Sequence, residues 1–301
     1  MRLTRRPALY LCCLFAMLLT AWMLPVVRVS GEVNYHSPDM PRATVESASM
    51  DLLSLNVAHG RGAALNQLLV SANGHRDNLD QIADILLLSD ADVVALQEAD
   101  APSLWSGDFD HVAYLAQATD YKAFVHGYHA RAWPYTYGAA LMSRYHVQNM
   151  HSHQFIPSWP TANKGFVRGE LHWTRPDTPG DPAVVTLFSV HLDFSREAVR
   201  QAQIRELIED LAPLQTPLVV MGDFNADWSN PDSPTRLLAR ELDLHAFNPG
   251  ADNLGTYKGE RRLDWILISQ ELDFVDYGVL PDIVSDHLAV RASITWRKED
   301  E

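Results

Sequence analysis

The sequence predicts an α/β protein in which two β-sheets pack face to face with helices outside them. Three observations predict it. Strand-like and helix-like stretches alternate as two β-α-β units, over residues 51–96 and again over 184–221. Short apolar runs separated by Gly, Pro, Asn and Asp follow each unit, as antiparallel pairs require. The 301 residues are 47% apolar and 21% charged, enough for a full core and too apolar for a disordered chain.

The chain begins with an address. Arg2, Arg5 and Arg6 precede 21 uncharged residues, Pro7 to Val27, about the ~20 that cross a hydrocarbon core as a helix. Only Arg28 follows before Glu32, so the positive-inside tendency keeps the N-terminus cytosolic and exports the rest. A transmembrane anchor and a cleaved signal peptide both remain open over residues 1–30. The anchor is favoured because residues 25–32 (PVVRVSGE) fit a small-x-small cleavage site poorly. The expected location is a single-pass membrane protein with its catalytic domain extracytoplasmic, or a secreted or periplasmic protein after cleavage. Residues 31–49, with Pro38 and Pro41, read as a tether, and 297–301 as a charged tail.

Between them, residues 50–296 read as one globular domain. Strands are expected at 51–57, 92–96, 139–142, 166–173, 184–190, 218–221, 263–268, 274–280 and 288–296. One helix spans 76–89, where Leu79, Ile82, Ala83, Ile85 and Leu86 repeat at helical spacing, and a second spans about 196–211. No fixed-period repeat is present. Both cysteines, Cys12 and Cys13, lie near the N-terminus, which leaves the domain without a disulfide or a Cys-based zinc site. The formal charge is −14, and beyond residue 30 the chain has 20 basic against 38 acidic residues. That balance disfavours a nucleic-acid partner held on a broad basic face.

Polar residues sit where apolar strands end. Asn56 closes the first strand, Glu98 follows the second, His191 ends another, and Gly222-Asp-Phe-Asn225 follows Met221. Asp264 lies inside an apolar strand, which asks for a partner, and Ser285-Asp-His287 precedes the last strand. Ligands in α/β proteins lie beyond the carboxyl ends of strands, so these residues are expected to converge on one pocket. Glu98 is the leading metal ligand, because hard oxygen ligands suit magnesium. Asp264 is expected to orient His287 and raise its pKa.

Taken in order, Leu55-Asn56-Val57, Leu96-Gln97-Glu98, Ser189-Val-His-Leu-Asp193, Gly222-Asp-Phe-Asn225, Arg262-Leu-Asp-Trp-Ile266 and Ser285-Asp-His287 closely resemble the endonuclease/exonuclease/phosphatase superfamily over about residues 50–296. The resemblance implies a four-layer α/β sandwich and phosphoester hydrolysis with a divalent metal, usually Mg2+, with Mn2+ the alternative. In that chemistry Asn56 is expected to help orient metal, phosphate or water and His191 to face the phosphate as a donor, and the resemblance implies that Asp223 activates or positions the attacking water, that Asn225 contacts the water or the phosphate, and that Asp286 contributes to metal binding. Whether Asp223 or His287 takes the water proton is left open. By the same resemblance Arg168 and Tyr137 are candidate substrate contacts, although Ala139 stands where relatives commonly have Asn.

Other residues are expected to be ordinary. His59 reads as a solvated loop residue, and His126, His129, His151 and His153 as surface residues without a defensible metal spacing. Trp133, Tyr135 and Trp159 read first as loop packing, with a substrate rim or membrane-facing edge as the alternative. The expected activity is a monomeric phosphodiesterase or phosphatase acting on a lipid headgroup or small phosphoester. A nuclease is the first alternative and an inactive membrane-tethered binding module the second.

Overall fold

The computed structural model describes residues 33–36, 44–178 and 180–298. The expected anchor or signal lies outside them, and among the described residues no helix is long and apolar enough to cross a membrane.

Fourteen strands among the described residues form two mixed sheets. The first contains β1 (Val33–His36), β3 (Ser49–Asn56), β4 (Val93–Asp100), β5 (Ala123–Ala132), β6 (Tyr135–Ser143), β13 (Leu272–Val279) and β14 (Val290–Trp296), ordered β1-β5-β6-β4-β3-β14-β13. The second contains β2 (Thr44–Val45), β7 (Gln148–Gln154), β8 (Gly165–Trp173), β9 (Ala183–His191), β10 (Leu218–Asp223), β11 (Leu244–Ala246) and β12 (Asp264–Ser269), ordered β11-β12-β10-β9-β8-β2, with β7 also on β8. Among the described residues four α-helices cover the outer faces: α1 (Ala72–Ser89), α2 (His111–Ala118), α3 (Glu197–Leu211) and α4 (Pro234–Glu241).

Alternation along the central strands builds this sandwich. Leu52 on β3, Val93 and Ala95 on β4, Leu187 on β9, Met221 on β10 and Ile266 on β12 meet between the sheets. Their neighbours Leu53, Leu55, Val94 and Leu96 turn outward against Leu79, Ile82 and Leu86 of α1 and Val112 and Leu115 of α2. On the other side Phe188, Val220 and Trp265 pack against Ile204 and Leu207 of α3 and Leu238 of α4. Both faces of each sheet are therefore covered, which is why these strands read as unbroken apolar runs. Truncating one of these buried leucines to Ala would cost about 2–5 kcal/mol.

The two β-α-β units are β3-α1-β4 and β9-α3-β10, each pairing parallel strands. Helix α1 starts four residues before the expected position, at a turn where the Ser71 side chain accepts a hydrogen bond from Gly74 N at 3.1 Å. Residues 31–49, expected as a tether, instead contribute edge strands. Val33–His36 pairs with β5, and Thr44–Val45 pairs with β8, burying Val45 completely between the sheets.

Candidate active site

Parallel pairing aligns the strand ends. In the second sheet Asp223 is in register with His191 on one side and Asp264 on the other, so three expected site residues become immediate neighbours. Gly222 permits the approach: its φ is +144°, and a Cβ there would lie 2.0 Å from Val190 O. In the first sheet Asn56 is in register with Gln97. The sheets are tied just below, where Gln97 Nε2 donates to Ser189 Oγ at 3.0 Å and that hydroxyl donates to Leu96 O at 3.0 Å. An irregularity in β4 between Leu96 and Ala99 leaves Glu98 at φ +52°, turned out of the alternation. A non-glycine residue there costs of order 1–3 kcal/mol, which the surrounding contacts must sustain.

Glu98 is ringed by nitrogens. Its carboxylate lies 3.5 Å from Lys164 Nζ, 3.4 Å from His59 Nε2 and 3.7 Å from His191 Nε2. Burial is the largest influence and would raise its pKa, but His59, Lys164 and His191 together hold it well below the usual carboxylate range. His59 is held in turn by Asp100 at 2.7 Å. Burial alone would make His59 less basic, yet Asp100 and Glu98 outweigh it and raise its pKa. Asp100 also accepts from Trp105 Nε1 and Ser106 Oγ.

His191 is neutral, its pKa pushed far down by burial and then by Lys164. Lys164 Nζ lies 3.4 Å from His191 Nδ1, and an ammonium can only donate. Nδ1 is therefore the acceptor, and the proton sits on Nε2, a buried atom with no hydrogen-bond partner. That N–H points toward Glu98 and Asp223, which lies 3.6 Å away.

The other half of the site is sealed. His287 Nδ1 meets Asp264 Oδ2 at 2.8 Å, and its Nε2 lies 3.9 Å from Asp223 Oδ2. Burial works against the imidazolium, but Asp264 and then Asp223 raise the His287 pKa to about 10. Burial, followed by the charge of Asp264, pushes Asp223 up to about 7. Asn56 Nδ2 donates to Asp223 Oδ2 at 3.0 Å while its Oδ1 accepts from Ala58 N. Asn225 donates to Asp223 twice, from its backbone N at 2.9 Å and from Nδ2 at 3.1 Å.

Asn56, Glu98, His191, Asp223, Asn225, Asp264 and His287 thus converge, and Tyr137 joins them with its ring 4.6 Å from that of His59. Asp286 stands at the edge, paired with Arg61 Nη2 at 2.7 Å. Ala139 is buried between the sheets. Arg168 is not at the site: it projects from the outer face of β8 to Asp210 on α3, 3.3 Å away. The basic residue present is Lys164, four positions earlier. Its signal is the register of β8, which sets Gly165 opposite His191 and so delivers the preceding side chain to the strand ends. His59 is buried rather than solvated, because Asp100 and the edges of Trp105 and Tyr137 enclose it. His126 and His129 are buried as well, not on the surface. His126 Nε2 faces Ala99 O at 3.1 Å, and His129 lies 3.2 Å from Ser152 Oγ between β5 and β7.

The residues fit a hard divalent cation. Glu98, Asp100, Asp223, Asp264 and Asp286 gather here, with Lys164 paired to Glu98 and Arg61 to Asp286. Glu98 is the acid of the central cluster that keeps solvent access, its side chain 20% exposed against 1% for Asp223 and 0% for Asp264. Asp223, Asp264 and His287 also lie close enough to share an ion. The Asp264 bond and a proton on the ring leave His287 no lone pair for one.

The sequence model of the endonuclease/exonuclease/phosphatase family matches residues 53–287. The chain belongs to this family. Its members are hydrolases that act on phosphoesters, generally with a divalent metal. The fold is shared with solved members at low sequence identity. An endonuclease/exonuclease/phosphatase from Beutenbergia cavernae DSM 12333 superposes with a TM-score of 0.63 at 19% identity, covering 83% of this chain and 72% of that one. The mannosyl-6-phosphatase of Bacteroides thetaiotaomicron VPI-5482 gives 0.59 at 18%, covering 82% and 100%. The catalytic domain of human nocturnin, with a bound sulfate anion, gives 0.55 at 15%, covering 88% and 97%. No curated protein matches the chain.

Proposed function

We propose that this family member is a Mg2+-dependent hydrolase of lipid-headgroup phosphoesters, working at the extracytoplasmic face of a membrane. The observation that supports the lipid substrate is a crown of exposed apolar side chains on the loops that frame the strand ends. Leu65 and Leu69 follow β3, Leu104 follows β4, and Phe194 follows β9. Trp133, 85% exposed, sits in the β5–β6 turn, and Trp159, 60% exposed, in the β7–β8 turn. Both turns lie at the same end, since β6 pairs Tyr137 with Asp100 and β8 pairs Gly165 with His191. The loops brace one another through Leu104 N to Pro134 O and Arg196 Nη1 to Trp159 O. Loop packing, the first expectation for these tryptophans, would have covered them. Apolar groups held open around a polar site suit a lipid–water interface.

Glu98 and Asn56 would hold the ion, with Asp286 beside them as the resemblance implies. The ion, when bound, offsets the phosphate's negative charge. Asp223, with an affinity for protons matched to neutral pH, takes the proton of the attacking water. His191 donates a hydrogen bond from Nε2–H to a phosphate oxygen. His287, held cationic by Asp264, stabilises the charge that develops during the displacement.

The test measures Mg2+-dependent hydrolysis by the full chain of phospholipid vesicles, a soluble phosphodiester, and single-stranded DNA and RNA. The proposal expects vesicle hydrolysis to exceed the others, and a Trp133→Ser/Trp159→Ser variant to lose about tenfold on vesicles while keeping its rate on the soluble ester. Faster cleavage of nucleic acid would replace the proposal with the nuclease reading.

A further inference from the structure

On the outer face of the second sheet, two imidazoles and two carboxylates meet without a role in hydrolysis. His151 and His153 are two apart on β7 and leave the same face of the strand. Glu206 and Asp210 are four apart on α3, one turn, and face them. His151, His153 and Asp210 each present a ligand atom, and these atoms all lie within 4.8 Å of one another. His153 Nε2 lies 2.6 Å from Glu206 Oε1. Asp210 Oδ2 is buried with no hydrogen-bond partner, and the guanidinium of Arg168 stops 3.3 Å short of it.

We infer that His151, His153 and Asp210 form a second metal site, for a borderline divalent ion of the zinc class. The donor set selects the ion: two imidazoles and one carboxylate suit Zn2+, whereas Mg2+ prefers oxygen alone. Three protein ligands leave a fourth position for water, and His151, exposed at the surface, gives the ion a way in. The surroundings supply the supporting contacts such a site needs. Glu206 fixes one nitrogen of His153 and leaves the other for the metal, and Arg168, 3.3 Å from Asp210 Oδ2, offsets part of that carboxylate's charge. Glu206 and Asp210 set two carboxylates against the one guanidinium of Arg168. Bound there, the ion would fasten edge strand β7 to α3 and stabilise the folded chain by mass action.

The probe is zinc chloride, titrated calorimetrically into the full chain carrying Glu98→Gln, which removes the principal ligand of the catalytic ion. The inference expects one Zn2+ per chain, a rise in thermal midpoint with zinc, and at least tenfold weaker binding when His151→Ala or Asp210→Asn is added. His151 is exposed on an edge strand, so its replacement leaves the fold in place. Unchanged hydrolysis by His151→Ala alone verifies that. Absence of zinc binding in the Glu98→Gln chain, or equal binding after His151→Ala is added, overturns the inference.

Discussion

The two halves of the catalytic centre use the same side chains under opposite conditions. Around Glu98 the pocket is open on one side and rich in cations, and the carboxyl group is held deeply ionised. Around Asp223 and Asp264 it is closed, and burial next to another acid lifts Asp223 to about 7. Histidines divide the same way: His191 beside Lys164 is neutral, while His287 between two carboxylates is a cation. Residue type therefore does not assign a role; solvent access and the nearest charge do. An ionised, accessible carboxylate suits a metal, and a sealed one with a raised pKa suits proton transfer.

The sharpest way to break this division is to remove His287. His287→Ala should lower kcat by about 10²–10⁴, measured on a soluble phosphodiester at saturating Mg2+. Asp264→Asn should cost less, because the ring remains but is poorly held. The double variant should be little worse than His287→Ala alone, since the two act as a unit. Losses that multiply would mean that Asp264 serves some other partner.

Lys164→Met, which keeps most of the buried volume, should act on the open half with a smaller effect of about 10–100-fold, comparable to removing an orienting partner at a metal site. Without the ammonium, Glu98 loses a neighbour that favours its charged form, so the rate should fall while the acid limb of the pH–rate profile, set by Asp223 at about 7, stays in place. An unchanged rate would sever Lys164 from Glu98.

Lys164 also marks where sequence reading stopped. The central strands, both β-α-β units and seven converging polar residues were legible because each strand carries a long apolar run that ends in a group needing a partner. Strand β7, with sequence QNMHSHQ, was not legible, since an edge strand has little apolar period to display. Helices α2 and α4, eight residues each, are too short for a periodic signal. Lys164 and Arg168 lie on one segment, and only the register of β8 against β9 tells which reaches His191. His59 looked solvated because its partners, Asp100 and Trp105, lie more than forty residues away in the chain.

Stability against pH gives a gentler contrast. His287 has its folded pKa raised from 6.5 to about 10, so the stability it adds is fully present below 6.5 and is lost as pH rises toward 10. Above about pH 7 Asp223 is already ionised, and the loss belongs to His287, with a slope of up to about 1.4 kcal/mol per pH unit. His129 behaves in reverse. Burial, then His126, depress its pKa to about 3, so the unfolded chain binds the extra proton and stability falls as pH drops from 6.5. Urea midpoints from pH 4 to 10 should fall at both ends, and His287→Ala should flatten the alkaline side alone. An alkaline fall that persists in that variant would place its source elsewhere.

The division itself is tested most directly by Mn2+ binding, followed calorimetrically in the full chain and in its Glu98→Gln and Asp264→Asn variants. If Glu98 holds the ion and Asp264 holds His287, Glu98→Gln weakens Mn2+ at least tenfold and Asp264→Asn changes it by less than about threefold, by analogy with ligand and supporting residues at other metal sites. Equal weakening by both substitutions would contradict the account and put the ion among Asp223, Asp264 and His287 instead.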